Sequence, residues 1–175
     1  MSTRSLPTLV AASIFIANAA VSDDGPGLGE GLTAAEISAI DYTVMPDGDG
    51  LPEGSGTAAQ GRAVYLANCL ACHGENGTGG LNDALAGGHG SINGPAPQKT
   101  VGSYWPYATT IFDYVRRAMP LTSPGILSND ELYAVTAYLL YINDIITEDF
   151  EIDAESLPSV AMPNGGNFVW GYTPE

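Results

Sequence analysis

Positive charge is what this sequence has least of: 5 lysines and arginines stand against 20 aspartates and glutamates, a formal net charge of −15. So acidic a chain repels phosphate backbones and anionic lipid headgroups, which excludes nucleic-acid binding and electrostatic attachment to membranes. Any charged partner should present basic groups at the contact. Cysteine is nearly absent, with 2 in 175 residues, so no disulfide framework holds the fold. Beyond residues 6–21 no apolar run approaches the roughly 20 residues that a membrane-spanning helix needs. The glycine-dense stretch 74–97 lacks the Lys-Ser or Lys-Thr of a phosphate-cradling loop. The length suits one domain with extensions and can bury well over half of the unfolded surface.

Both cysteines fall in five consecutive residues, Cys69-Leu70-Ala71-Cys72-His73, which read as a C-x-x-C-H c-type haem attachment site. Two thiols at this spacing reach the two vinyl groups of one porphyrin, and the histidine that follows offers a nitrogen to the iron. Other chemistries fit less well. A redox dithiol belongs beside a βαβ pattern, and here the flanks are a helical pattern and a glycine-rich loop. A zinc site would need Cys69, Cys72, His73 and His89 together, and His73 is badly placed to share a tetrahedral ion with the adjacent Cys72.

Organisation follows from the ends inward. Arg4, the apolar run 6–21 and Ala17-Asn18-Ala19 have the form of a signal peptide over residues 1–19, with small residues at the −3 and −1 positions of a cut after Ala19. Export to the periplasm without a remaining membrane anchor is the expectation, and it suits thioether attachment, which takes place outside the bacterial inner membrane. Residues 20–54 form an extension rich in Gly, Asp and Pro, with one short helix capped by Thr33-Ala34-Ala35-Glu36. The main domain is expected over 55–150 and a tail over 151–175. Within the domain, Thr57-Ala58-Ala59-Gln60 opens a helix that runs to Asn68 with Gly61, Val64 and Tyr65 on one face. A second helix has its cap near Thr110 and its apolar face at Ile111, Val115, Ala118 and Met119, stopping at Pro120. Ser128-Asn129-Asp130-Glu131 caps a third helix, apolar nearly all round, through Ile146. The fold class read from this is all-α.

A haem held by His73 alone leaves one iron position open, and Met/His ligation is the arrangement of electron-transfer cytochromes c. Met119 is the preferred second ligand because it closes a helix just before Pro120; His89, Met45 and Met162 are the other candidates. Lys99, Tyr104, Trp105 and Tyr107 gather a cation and several donors that could satisfy the haem propionates, carboxylates costly to bury unpaired. Three cations, Lys99, Arg116 and Arg117, lie close to Met119 in sequence, which predicts a field that steers a partner to the haem edge, the alternative being that one arginine simply pairs with Asp113 across a helical turn.

The helix ending in C-x-x-C-H, the Met119-Pro120 region and the apolar last helix resemble a class I cytochrome c, whose first and last helices cross at a glycine and an aromatic. Gly61, Tyr65 and Tyr138 would be that crossing. More narrowly, the stretches 46–61, Lys99-Thr-Val-Gly-Ser-Tyr-Trp-Pro-Tyr-Ala108, Asp113-Tyr-Val-Arg-Arg-Ala-Met-Pro120 and Met162-Pro-Asn164 resemble the cytochrome c subunit of bacterial sulfite or sulfane dehydrogenases. The resemblance implies one haem c and a molybdenum-containing dehydrogenase as electron donor, with a further acceptor downstream. A free carrier serving another dehydrogenase, and a haem enzyme of peroxidase or thiosulfate-oxidising type with an open or labile sixth position, are the alternatives.

Overall fold

The computed structural model describes residues 28–169 and residue 171; the expected signal segment 1–19 lies outside the described residues. The chain divides into two units, Met1–Ile40 and Asp41–Glu175. In the first, helix α1 (Ala34–Ile40) starts where the capping signal places it, with the Thr33 backbone N–H and hydroxyl both donating to the Glu36 carboxylate at 2.8 and 2.7 Å.

The second unit holds strand β1 (Ser55–Thr57), helices α2 (Ala58–Asn68), α3 (Leu70–His73), α4 (Ala108–Ala118) and α5 (Asn129–Tyr141), and strand β2 (Glu151–Asp153). Helices α2 and α5 cross, as the resemblance to a class I cytochrome c implies. The crossing depends on Gly61: a Cβ there would overlap the Ala134 carbonyl and sit 2.9 Å from the Tyr138 Cβ, so only glycine lets the two backbones approach this closely. The Tyr65 and Tyr138 rings pack beside it with centroids 5.0 Å apart. Both helices begin with reciprocal caps, Thr57 with Gln60 and Ser128 with Glu131, which satisfy amide groups that the first turn leaves free. Helix α4 lays Ile111, Phe112 and Val115 into the core, where Phe112 meets Tyr133 at 4.6 Å.

Two helix boundaries differ from expectation. Helix α4 starts at Ala108 and not at a Thr110 cap, with Tyr107 before it making no side-chain cap; Asp113 is turned to other partners. Helix α5 ends at Tyr141, short of Ile146. Its apolar run continues, but Asn143, 1 % exposed, donates to the Leu139 and Leu85 carbonyls and accepts from the Gly87 N–H, and Asp144 then takes a positive φ of 56°. A buried side chain serving three backbone groups outweighs helix continuation.

The flanking segments join the core of this unit. Strand β2 pairs antiparallel with β1, Gly56 opposite Ile152, and buries Ile152 and then Leu157 completely. The pair is too short to register as a strand signal, since Phe150 and Ile152 are the only large apolar residues among Glu148, Asp149, Glu151, Asp153 and Glu155. Val44 is buried, and the Tyr133 hydroxyl donates to the Pro52 carbonyl at 2.8 Å.

Candidate haem site

Helix α2 hands the chain directly to the C-x-x-C-H segment: the Cys69 N–H still bonds the Tyr65 carbonyl, α3 adds one turn, and Gly74 at φ 76° ends it. Just past His73, the Tyr65 hydroxyl donates to the Gly74 carbonyl at 2.8 Å and the Tyr138 hydroxyl to Asn76 Oδ1 at 3.2 Å. The crossing that organises the fold therefore also fixes the loop behind the histidine.

Cys69, Cys72 and His73 line a cavity of about 630 Å³. Val135 and Leu139 of α5, Leu85 and Val101 of the glycine-dense loop region, and Ile111, Val115 and Met119 of the α4 end complete its apolar wall. The His73 Nδ1 lies 3.0 Å from the Asp83 carbonyl oxygen. A carbonyl only accepts, so Nδ1 carries a proton there, and in the neutral ring Nε2 is then the nitrogen with the lone pair, the tautomer that suits a metal ligand. Burial, reinforced by the neighbouring Cys72, pushes the Cys69 thiol up to about 11. A reactive redox dithiol needs a lowered thiol pKa, so this environment argues against thiol–disulfide chemistry. Two free thiols, an imidazole with a free Nε2 and a thioether around one mainly apolar cavity are a donor set that fits a covalently held haem.

The remaining expected residues divide. Lys99 and Trp105 lie on the cavity wall; Tyr104 and Tyr107 do not. The Tyr104 ring packs edge-on against Phe168 at 5.5 Å with Lys99 Nζ 5.0 Å from its centroid, and its backbone carbonyl accepts from Asn164 Nδ2. Tyr107 precedes α4 and is 39 % exposed. His89 is away from the cavity wall, its ring beside Gly102. Met45 is half exposed and Met162 belongs to the core. Of the four iron-ligand candidates, Met119 alone lines the cavity with His73.

Sequence reasoning missed Tyr114 and Asn143. Tyr114 lines the cavity and meets Trp105 edge-on at 5.7 Å; its spacing of three from Ile111 was a readable sign that it shares that face. Asn143 holds the loop at Leu85 and Gly87 that makes part of the wall, and no local pattern announces a contact so distant in sequence. Of the cations, one arginine makes the pair with Asp113 that its spacing allowed. Arg117 closes a fork on Asp113 at 2.7 and 2.9 Å, and Arg116 donates to the Tyr42 carbonyl at 3.2 Å. Lys99 is the one of the three on the cavity wall.

The pattern of the cytochrome c family matches residues 58–143, from the start of α2 to the asparagine beyond α5. Among curated protein sequences none matches the chain. Among solved structures, a chain in the crystal structure of the sulfane dehydrogenase SoxCD from Paracoccus pantotrophus is 47% identical, with a TM-score of 0.75 over 82% of this chain and 71% of that one. Identity at that level over most of both chains reflects common descent as well as shared shape, and the chain belongs to the cytochrome c family, with the covalently bound haem c that the family implies.

Proposed function

We propose that this chain is a periplasmic cytochrome carrying one haem c, which takes electrons from a molybdenum-containing sulfite or sulfane dehydrogenase and delivers them to a downstream acceptor. One observation carries the electron-transfer reading: His73 and Met119, from two different elements, line the same apolar cavity as both cysteines. When bound, the haem supplies a reversible one-electron couple; the protein supplies attachment, ligands and exclusion of water. Cys69 and Cys72 form the thioethers. His73 presents Nε2 while the Asp83 carbonyl holds its Nδ1 proton, which keeps the ring from turning. Met119 would offer the iron its thioether sulfur, a neutral soft donor that favours the reduced state. Lys99 and Trp105 serve the propionates from the cavity wall.

The single C-x-x-C-H segment and the two cysteines support one haem on this chain. The donor follows from the likeness to the sulfane dehydrogenase chain. Export follows from the character of residues 1–19 and the site of thioether formation; among the described residues no helix is long and apolar enough to cross a membrane. A catalytic haem with an open position is the competing function, and the place of Met119 argues against it. Purification of the haem-loaded protein from its native periplasm tests the assignment. A molybdenum enzyme that co-elutes and reduces it with sulfite or a bound sulfane as substrate is the expected result. Co-elution with a dehydrogenase of unrelated substrate would leave the carrier and replace the donor.

A further inference from the structure

Helix α4 is gripped from two directions. Ile111, Phe112 and Val115 anchor it in the core. Four other residues reach segment 42–46 instead: the Thr109 hydroxyl donates to the Pro46 carbonyl at 3.2 Å, Asp113 Oδ1 accepts from the Val44 N–H at 3.0 Å, Arg116 donates to the Tyr42 carbonyl, and the Arg116 and Arg117 guanidinium groups lie 5.6 and 5.0 Å from the Tyr42 ring centroid. Asp113 is the centre of this clasp, because the Arg117 fork closes on the same carboxylate that takes the Val44 N–H. Val44 is buried, so the segment is itself fixed.

Met119 sits at the end of the clasped helix, its N–H bonded to the Val115 carbonyl at 3.0 Å. On its other side Pro120, Leu121 and Thr122 continue along the cavity wall. Met119 follows the last turn of α4 directly, and that turn, which would have to loosen for it to move, carries Arg116 and Arg117. Local opening of this kind costs less than global unfolding and is governed by the contacts of the opening segment. Resting on the reading of Met119 as iron ligand, we propose that Asp113 is a positioning residue for that ligand: through Arg117 and Val44 it ties the last turn of α4 to segment 42–46 and sets how readily Met119 leaves the iron. The two arginines, expected to face a partner, thus also make contacts within the chain.

The test uses the haem-loaded full chain in its oxidised form and the rate of imidazole binding at saturation, which reports departure of the thioether. Asp113→Asn keeps an acceptor for the Val44 N–H but loses the ion pair, and Arg117→Gln removes the fork. Each is expected to speed imidazole binding by about three- to tenfold, the size of a partly exposed, bidentate ion pair. Tyr133→Phe, which deletes the bond to the Pro52 carbonyl, is expected to lower global stability and leave the imidazole rate unchanged. A wild-type rate in Asp113→Asn overturns the proposal, and so does equal acceleration in Tyr133→Phe, which would make the effect one of general stability. Failure of the ligand reading shows separately: if Met119→Ala keeps the sulfur-to-iron absorption band, Met119 is not on the iron and Asp113 has no ligand to position.

Discussion

Replacing Asn143 by alanine should be among the most damaging single changes outside the haem ligands. The side chain is 1% exposed and makes three bonds: it accepts from the Gly87 N–H at 3.1 Å and donates to the Leu85 and Leu139 carbonyls at 3.0 and 2.8 Å. Each such bond contributes about 1 kcal/mol net, and a buried N–H left without a partner costs about 1–3 kcal/mol more, so a loss of about 3–5 kcal/mol is expected. That is a large part of the ~5–15 kcal/mol that holds a domain folded. The consequence reaches the site because Leu85, whose carbonyl then keeps only the Val101 N–H, lines the cavity. Denaturant unfolding of the haem-loaded protein, followed by tryptophan fluorescence and haem absorption together, measures it. Asn143→Asp should be comparably harmful, since it keeps the acceptor but loses both donors and buries a charge. Stability of Asn143→Ala within about 1 kcal/mol of wild type would refute the reasoning, because it would mean that water replaces all three bonds.

Two further changes probe the helix crossing and its tyrosines. Gly61→Ala gains about 1 kcal/mol of helix propensity but forces α2 off the Ala134 carbonyl, so a net loss of about 1–3 kcal/mol is expected in the same unfolding assay; a stabilised variant would show that the backbones can separate freely. Burial pushes the Tyr65 and Tyr133 hydroxyls from 10.0 up to about 12. Above pH 10 the unfolded chain ionises these groups while the folded chain keeps them protonated, so the unfolded state binds fewer protons and stability falls as pH rises towards 12. The urea midpoint should drop across that window, and Tyr65→Phe should drop less.

What the sequence made legible was local or motif-borne. Capping residues, the apolar face of α4 and the glycine at the crossing each act over a few positions, and the C-x-x-C-H segment carries its chemistry in five residues. The structure brings Met119 to the cavity because helix α4 ends there, a geometry that its place before Pro120 already implied. The aromatic stretch 104–107 was legible only as a cluster. Which rings turn to the cavity depends on Phe168 and Asn164, contacts more than fifty positions away that claim Tyr104. The same holds for Asn143, for the β1–β2 pairing that folds the acidic tail against α5, and for Asp113, whose partner Val44 is 69 positions away. Long-range polar contacts leave no periodic trace in a single sequence.

The central claim is that Met119 and His73 hold one covalently attached haem for electron transfer. The most direct test is the oxidised visible spectrum and the reduction potential of the purified protein beside its Met119→Ala variant. The account predicts that haem stays attached through Cys69 and Cys72 in both, that the wild type alone shows the weak sulfur-to-iron band at the red end, and that the variant has the lower potential because a thioether favours reduced iron. A Met119→Ala protein with the band and the potential of the wild type would contradict it.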